Sequence, residues 1–265
     1  MRLCSIASGS SGNCIYVGSD TTHLLVDTGI SGKRTELGLN QIGMSLRDID
    51  GILVTHEHAD HISGLGVISR KYGIPIYAAA GTIQAIMNTS SVGKIDTDLF
   101  NQITADDKVM IKDIAVHPMR VSHDAAEPLA YRFAYGNKKV GIITDLGVYN
   151  DYTVASLQGL DAVLLEANHD INMLQVGPYP YYLKQRILGE RGHLSNELSG
   201  RLLSRILHDG MQKILLGHLS QENNLAELAY ETVRVEVTAA DVPYKGNDFQ
   251  ISVARRSEVS EVIEL

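Results

Sequence analysis

The stretch His56-Glu57-His58-Ala59-Asp60-His61 follows directly on the apolar residues 51–55, Gly-Ile-Leu-Val-Thr. An apolar run of that length reads as a buried strand, so three histidines and an aspartate are delivered together at a strand end. Imidazole nitrogen beside carboxylate oxygen is the donor mixture that suits zinc, manganese or iron. A polar loop of merely solvated side chains gives no reason for such crowding at a strand end. The spacing is not that of the helical zinc-protease motif, which wants its second histidine four residues after the first, where Asp60 stands here. If the chain stays extended through His56 and His58, those side chains share a face and can reach one ion. Asp60 and His61, one turn further on, then point at a second. Two divalent metal ions are the expectation.

His-x-His-x-Asp-His after a strand resembles the signature of the metallo-beta-lactamase fold superfamily, and the other motifs of that family follow in order. Asp27 in Leu24-Leu25-Val26-Asp27-Thr28-Gly29 looks like the first motif, which buttresses the metal loop. His123 in Val121-Ser122-His123-Asp124 looks like the third, and Asp145 in Ile143-Thr144-Asp145-Leu146-Gly147 like the bridging fourth. His218 in Leu215-Leu216-Gly217-His218-Leu219-Ser220 looks like the fifth. The resemblance implies one ion (zinc, manganese or iron) held by His56, His58, His123 and Asp145, and another held by Asp60, His61, Asp145 and His218. It also implies the fold: an α/β (α+β four-layer) αββα sandwich, two mixed sheets flanked by helices, as a single domain over residues 1–265.

A closer resemblance is to the small bacterial YycJ/VicX (WalJ-like) group, carried by Ser8-Gly9-Ser10-Ser11-Gly12-Asn13, Glu166-Ala167-Asn168-His169-Asp170 and Gly192-His193-Leu194-Ser195-Asn196. That group implies a DNA exonuclease of 5'-to-3' polarity. The Glu166 and His193 segments also look like the Glu and His motifs of the superfamily's transfer-RNA 3'-processing nucleases, where the pair relays a proton near the scissile phosphate.

Asp60, His193 and Glu166 are therefore the catalytic candidates. Two ions bridged by Asp145 and a hydroxide would supply a nucleophile at neutral pH. Phosphodiester cleavage expels a poor alkoxide, so a positioned general acid is worth about 10² to 10⁴ in rate, and a histidine oriented by a carboxylate fits that role. Redox chemistry is disfavoured, because the family's di-iron members carry Glu where His58 stands, and Asp145 in place of Cys or Ser argues against the antibiotic-degrading branches. The alternatives are an RNA-processing or small-molecule phosphodiesterase, another metallohydrolase acting on a thioester or lactone, and a regulatory binding protein with a structural metal. The last is disfavoured because a structural site closes its coordination around a single ion.

A formal net charge of -8 argues against a nucleic-acid partner unless the charge is local. It is local: residues 181–213 carry six Lys/Arg against three acidic residues. Arg186, Arg191, Arg201 and Arg205 are candidates for backbone contact, with solvated helix faces as the ordinary alternative, and His169 either contacts phosphate or caps the next helix. With no Trp and three Phe, stacking platforms are not evident, although twelve Tyr leave some stacking possible. The opening residues lack a secretory apolar core, and no apolar run is long enough to cross a bilayer. Cys4 and Cys14 read as reduced thiols, so a cytoplasmic protein without a membrane partner is expected.

Strands are expected near residues 2–7, 13–18, 22–27, 75–79, 107–112, 114–121, 129–135, 138–144, 161–166, 214–217 and 249–254. Helical spacing marks residues 33–42, 62–72, 81–88, 179–189, 195–208 and 222–231. Every candidate metal ligand falls at a strand end, where loops on a rigid scaffold can hold donors within tolerance.

Overall fold

Three apolar runs separated by turn residues open the chain as the antiparallel strands β1 (Arg2–Ala7), β2 (Cys14–Gly18) and β3 (His23–Val26). In this computed structural model, which describes residues 1–265, they belong to the first of two compact units, formed by residues 1–120, 125–137 and 255–265. After β3 the strand direction changes. Helix α1 (Gly32–Gln41) leads to β4 (Gly51–Leu53), which pairs parallel with β3. Helices α2 (Ala59–Ile62) and α3 (Leu65–Tyr72) precede β5 (Ile76–Ala78), and α4 (Ala80–Asn88) precedes β6 (Phe100–Gln102). These strands continue the parallel half of the sheet, as helical crossovers require. An antiparallel meander of β7 (Val109–Ile111), β8 (Ile114–Arg120) and β9 (Leu129–Tyr135) follows and belongs to the other sheet, which it makes mixed.

The helix expected over residues 62–72 is divided. Gly64 interrupts it because its backbone lies against residues 28–30: its N–H donates to the Thr28 carbonyl at 2.8 Å, and a Cβ there would overlap the Ile30 carbonyl. The break frees α2 to act as the second half of the His/Asp motif.

The second unit comprises residues 121–124 and 138–254. Its strands β10 (Lys138–Ile143), β11 (Ala162–Glu166), β12 (Lys213–Gly217) and β13 (Gln250–Val253) are all parallel. The crossovers are α5 (Asp151–Ser156), then α6 (Ile171–Val176), α7 (Tyr181–Leu188) and α8 (Asn196–Ile206), and last α9 (Ala226–Ala239). Strand β11 is buried along its whole length, the reason its sequence is a continuous apolar run ending in Glu166. Because β10, β11 and β12 run in one direction, residues just past their ends emerge at one edge, the usual ligand edge of a parallel sheet.

Helix α9 begins at Ala226, later than residue 222, because Asn223 and Asn224 are buried and occupied elsewhere. The Asn224 amide donates to the carbonyls of Ala167 and Asn168 at 2.9 and 3.0 Å. A final strand, β14 (Ile263–Glu264), pairs antiparallel with β1 at the edge of the first unit. Cys4 and Cys14 are both buried free thiols. No helix is long and apolar enough to cross a membrane.

Candidate functional site

Val26 and Leu53 are partners in the parallel β3/β4 pair, so Asp27 and Val54 leave the sheet side by side. Asp27 sits in the left-handed region with φ 60°. Its carboxylate accepts the Thr55 N–H at 2.8 Å, the Thr55 hydroxyl at 2.9 Å and His61 Nδ1 at 2.7 Å. A carboxylate at Nδ1 makes that nitrogen the donor and leaves Nε2 to present its lone pair to an ion. The Tyr131 hydroxyl, donating to the Val54 carbonyl at 2.6 Å, pins the same strand end.

His58 is extended (φ -64, ψ 149) and α2 starts one residue later. His56 and His58 are thus presented from extended chain and Asp60 and His61 from a helical turn, as the spacing predicts. His56 Nε2 lies 3.1 Å from His58 Nδ1, and His61 Nε2 lies 3.4 Å from Asp60 Oδ2. Two imidazole nitrogens so close need a proton or a cation between them, and the donor set fits a divalent ion. Gly29 lets the first loop close on this motif, since a Cβ would overlap the Asp60 carbonyl. That carbonyl accepts the Asn13 N–H at 2.8 Å, and Asn13 Nδ2 lies 3.2 Å from His61 Nε2. The Ser/Gly turn at residues 8–13 therefore serves to deliver Asn13.

In the second unit, Asp145 and His218 stand just past β10 and β12, with φ 54° and 55°. Five non-glycine residues in the chain have positive φ, and three of them are Asp27, Asp145 and His218. Backbone strain is concentrated where the candidate ligands sit, as functional sites often require. Asp145 Oδ1 lies 3.7 Å from His123 Nε2 and 3.5 Å from both His193 Nδ1 and His218 Nδ1. His123 Nδ1 donates to the Gly192 carbonyl at 3.0 Å, which leaves Nε2 toward Asp145. Burial lowers the His123 pKa, against the opposing charge of Asp145, and so favours the neutral, ligating imidazole.

Glu166 organises this half. One carboxylate oxygen accepts His193 Nδ1 at 2.8 Å and His218 Nδ1 at 2.9 Å, while the other accepts the N–H groups of Leu146 at 2.8 Å and Leu194 at 3.2 Å. Burial would raise its pKa, but the charge and hydrogen bond of His193, with the bond from His218, hold it down to about 2. Burial would likewise lower the His193 pKa, yet the charge and hydrogen bond of Glu166, helped by Asp145, raise it above its usual value. The His193 side chain is 18 % exposed, and Nε2 is the nitrogen left to meet a substrate.

His169 is buried; its Nδ1 lies 3.3 Å from Asn168 Oδ1 and its Nε2 has no hydrogen-bond partner. It does not cap the following helix, because Asp170 does, accepting the Met173 N–H at 2.7 Å. The four candidate arginines all have intramolecular partners. Arg186 pairs with Asp124, and Arg191 donates twice to the His123 carbonyl, at 3.0 and 3.1 Å. Arg201 pairs with Glu236 and Arg205 with Asp151, each at 2.9 Å. Asp124 Oδ1 lies 3.4 Å from His123 Nε2, while the Nδ1 atoms of His123 and His218 are held by the Gly192 carbonyl and Glu166. Sequence reasoning missed Asn13, Thr55 and Asn168, whose amide donates to the His218 carbonyl at 2.9 Å. Position alone could have flagged Thr55, the residue between strand and motif.

The model of the "Beta-lactamase superfamily domain" family matches residues 22–219. Over 228 residues the chain is 44% identical to the exodeoxyribonuclease YycJ of Bacillus anthracis, covering 86% of each protein. It is 42% identical over 246 residues to the exodeoxyribonuclease WalJ of Streptococcus pneumoniae serotype 2, covering 93% of this chain and 91% of that one. Among solved structures, the metallo-beta-lactamase fold protein YhfI of Bacillus subtilis superposes with a TM-score of 0.71 over 98% of both chains at 17% identity. The fold is thus two mixed sheets flanked by helices, and its His/Asp clusters support divalent metal binding. The chain belongs to the beta-lactamase superfamily and, within it, to the family of the YycJ and WalJ proteins.

Proposed function

We propose that this protein is a metal-dependent nuclease, a DNA exonuclease of 5'-to-3' polarity that works with two divalent ions. The observation that carries the reading is the His193–Glu166 pair, held in one cluster with Asp145 and His218. On the family's pattern, His56, His58, His123 and Asp145 would hold one ion, and Asp60, His61, Asp145 and His218 would hold the other. The identity to two exodeoxyribonucleases over most of the chain supports DNA as the substrate. The family match takes in parts of both units, which supports reading residues 1–265 as one functional domain. The buried free thiols support a reducing, cytoplasmic setting.

When bound, divalent ions offset charge on the attacked phosphate and make a water nucleophilic near neutral pH. The chain's own residues do the rest. Asp27 and Thr55 fix the His61 ring, and Glu166 fixes His218. Asp60 lies beside His61, where it helps hold and orient the attacking side of the reaction. His193, whose protonated form Glu166 favours, gives its Nε2 proton to the departing 3'-alkoxide and becomes neutral, with Glu166 stabilising the imidazolium until that transfer.

The test is purified protein with Mn²⁺ or Zn²⁺ on single-stranded DNA, duplex DNA and RNA, labelled at either end. Mononucleotide release from the 5' end of DNA, abolished by chelator, is expected. Preferential RNA cleavage would move the function to RNA processing. Hydrolysis of thioesters or lactones with no action on nucleic acid would overturn the nuclease reading.

A further inference from the structure

The turn at residues 8–13 is built to hold one side chain. Gly9 and Gly12 have φ of 152° and 144°, and a Cβ on Gly12 would overlap the Gly29 carbonyl and the Ile30 side chain. The path this permits brings the Gly9 N–H within 2.9 Å of Asn13 Oδ1, while the Gly12 N–H donates to the Gly9 carbonyl at 2.9 Å. The Asn13 backbone is clamped as well. Its N–H donates to the Asp60 carbonyl at 2.8 Å, and its carbonyl accepts the Gly29 N–H at 2.7 Å.

A backbone N–H on Oδ1 fixes which way the amide points, so Nδ2 is the end that faces the His/Asp motif. Asn13 is fully buried, yet the contacts of Nδ2 are long: 3.4 Å to the Asp60 carbonyl and 3.2 Å to His61 Nε2. His61 Nδ1 is committed to Asp27, which leaves the lone pair on Nε2. Once His61 gives that lone pair to an ion, the Asn13 amide loses its acceptor. An amide nitrogen only donates and cannot join the ion itself, so its partner must be an oxygen held at the same place. Asp60, assigned to the same ion, brings negative charge there, and a phosphate entering beside it needs a donor.

We propose that Asn13 is a further catalytic residue, whose Nδ2 hydrogen bonds a non-bridging oxygen of the phosphate under attack and offsets the charge that grows on it. This rests on the metal-dependent nuclease reading and adds to it a substrate contact supplied by the Ser/Gly turn.

The experiment compares full-length wild type, Asn13→Ala and Asn13→Asp, each loaded with Mn²⁺. Aspartate keeps an oxygen for the Gly9 N–H and nearly the same shape but has no N–H, so it separates bracing the turn from donating to a ligand; it also decides the matter where the Ala variant fails to fold. Elemental analysis reads the metal, and calorimetric titration with inorganic phosphate reads the contact. Both variants should keep the wild-type metal content and bind phosphate at least about tenfold more weakly, the low end of a hydrogen bond to a charged group. Their kcat should fall by about 10²- to 10³-fold, the scale of one lost donor of this kind. The factor should be similar on DNA and on bis(p-nitrophenyl) phosphate, because the donor serves the phosphoryl group and not the leaving group. An Asn13→Asp variant that binds phosphate as wild type does would make the residue a brace of the turn and overturn the proposal. Loss of metal from either folded variant would overturn it too, since Asn13 would then support the ligand Asp60. Wild-type protein that degrades no DNA would sink the nuclease reading itself, whereas DNA degradation with phosphate binding indifferent to residue 13 removes this inference alone.

Discussion

Glu166 and His193 are joined by a 2.8 Å hydrogen bond from the ring's Nδ1 to a fully buried carboxylate, and the same oxygen also receives His218. One side chain thus sets both a candidate ligand and the candidate proton donor.

The first consequence concerns His193. His193→Ala should retain its metal and fold, because the residue is not among the assigned ligands, yet lose at least about 10²-fold in turnover on DNA. On bis(p-nitrophenyl) phosphate the leaving phenolate needs no proton, so the loss there should be much smaller. Steady-state kinetics on both substrates decide the matter, and equal losses would reduce His193 to a structural role.

Glu166→Gln tests the pH dependence. A general acid acts while protonated, and the His193 pKa is raised above 6.5, burial notwithstanding, by the Glu166 charge. Turnover on DNA should therefore decline as pH rises through that raised value. Without the charge, burial prevails and the alkaline limb should move to lower pH. Metal affinity should also fall by about 10- to 100-fold, since His218 loses its orienting partner. An unmoved alkaline limb in the kcat profile would show that another group supplies the proton.

The metal centre makes a stoichiometric prediction. Seven ligand residues sharing one carboxylate exceed what a single four- to six-coordinate ion needs, so elemental analysis of protein purified without chelator should find about two ions per chain. Asp145→Ala should lose the most metal, because both ions are assigned to it. A stoichiometry near one that added Mn²⁺, Zn²⁺ or Fe²⁺ cannot raise would end the two-ion mechanism.

The sequence made the motif strand ends legible because period and punctuation are local: the continuous apolar run before Glu166 and the run before His56 each identify a strand. The extended-then-helical geometry from His56 to His61 meets the condition, extended chain through His58, under which the spacing divides the donors into two sets. The double duty of Glu166 was not legible, since it depends on the β11/β12 register that pairs Glu166 with Gly217, one residue before His218. Asn13 was equally hidden, because its contact with His61 joins residues 48 apart. The break at Gly64 and the late start of α9 reflect tertiary contacts of Gly64 and Asn224 that override helical periodicity.

His169 makes the metal-free protein acid-sensitive. Burial lowers its pKa from 6.5 to about 4, and Nε2 has no partner to stabilise a proton. A histidine whose folded pKa lies below its unfolded value contributes stability that is complete above 6.5 and is lost as pH falls toward about 4. The loss is on the order of 3 kcal/mol. Denaturant unfolding of chelator-treated protein between pH 7 and pH 4 should show this decline, and His169→Asn should flatten it. Identical slopes in wild type and variant would assign the acid sensitivity to other groups.

The arginines separate into two pairs. Arg201 and Arg205 are held by Glu236 and Asp151, neither of which adjoins a candidate ligand in the sequence. Arg191 binds the His123 carbonyl and Arg186 the neighbouring Asp124, which puts both guanidinium groups beside a candidate ligand. Phosphate neutralisation should therefore fall to Arg186 and Arg191. In an inactive Asp60→Asn background, Arg186→Ala and Arg191→Ala should each reduce the log-log salt slope of DNA binding by roughly 0.7 to 0.9, the share of one phosphate contact. Arg201→Ala and Arg205→Ala should leave it nearly unchanged, and none of the four should alter sequence preference, because backbone contacts carry no base information. Equal slope changes for all four would spread the contact from α7 to α8. No change for any would show that these arginines are solvated faces and that the nucleic acid is held elsewhere.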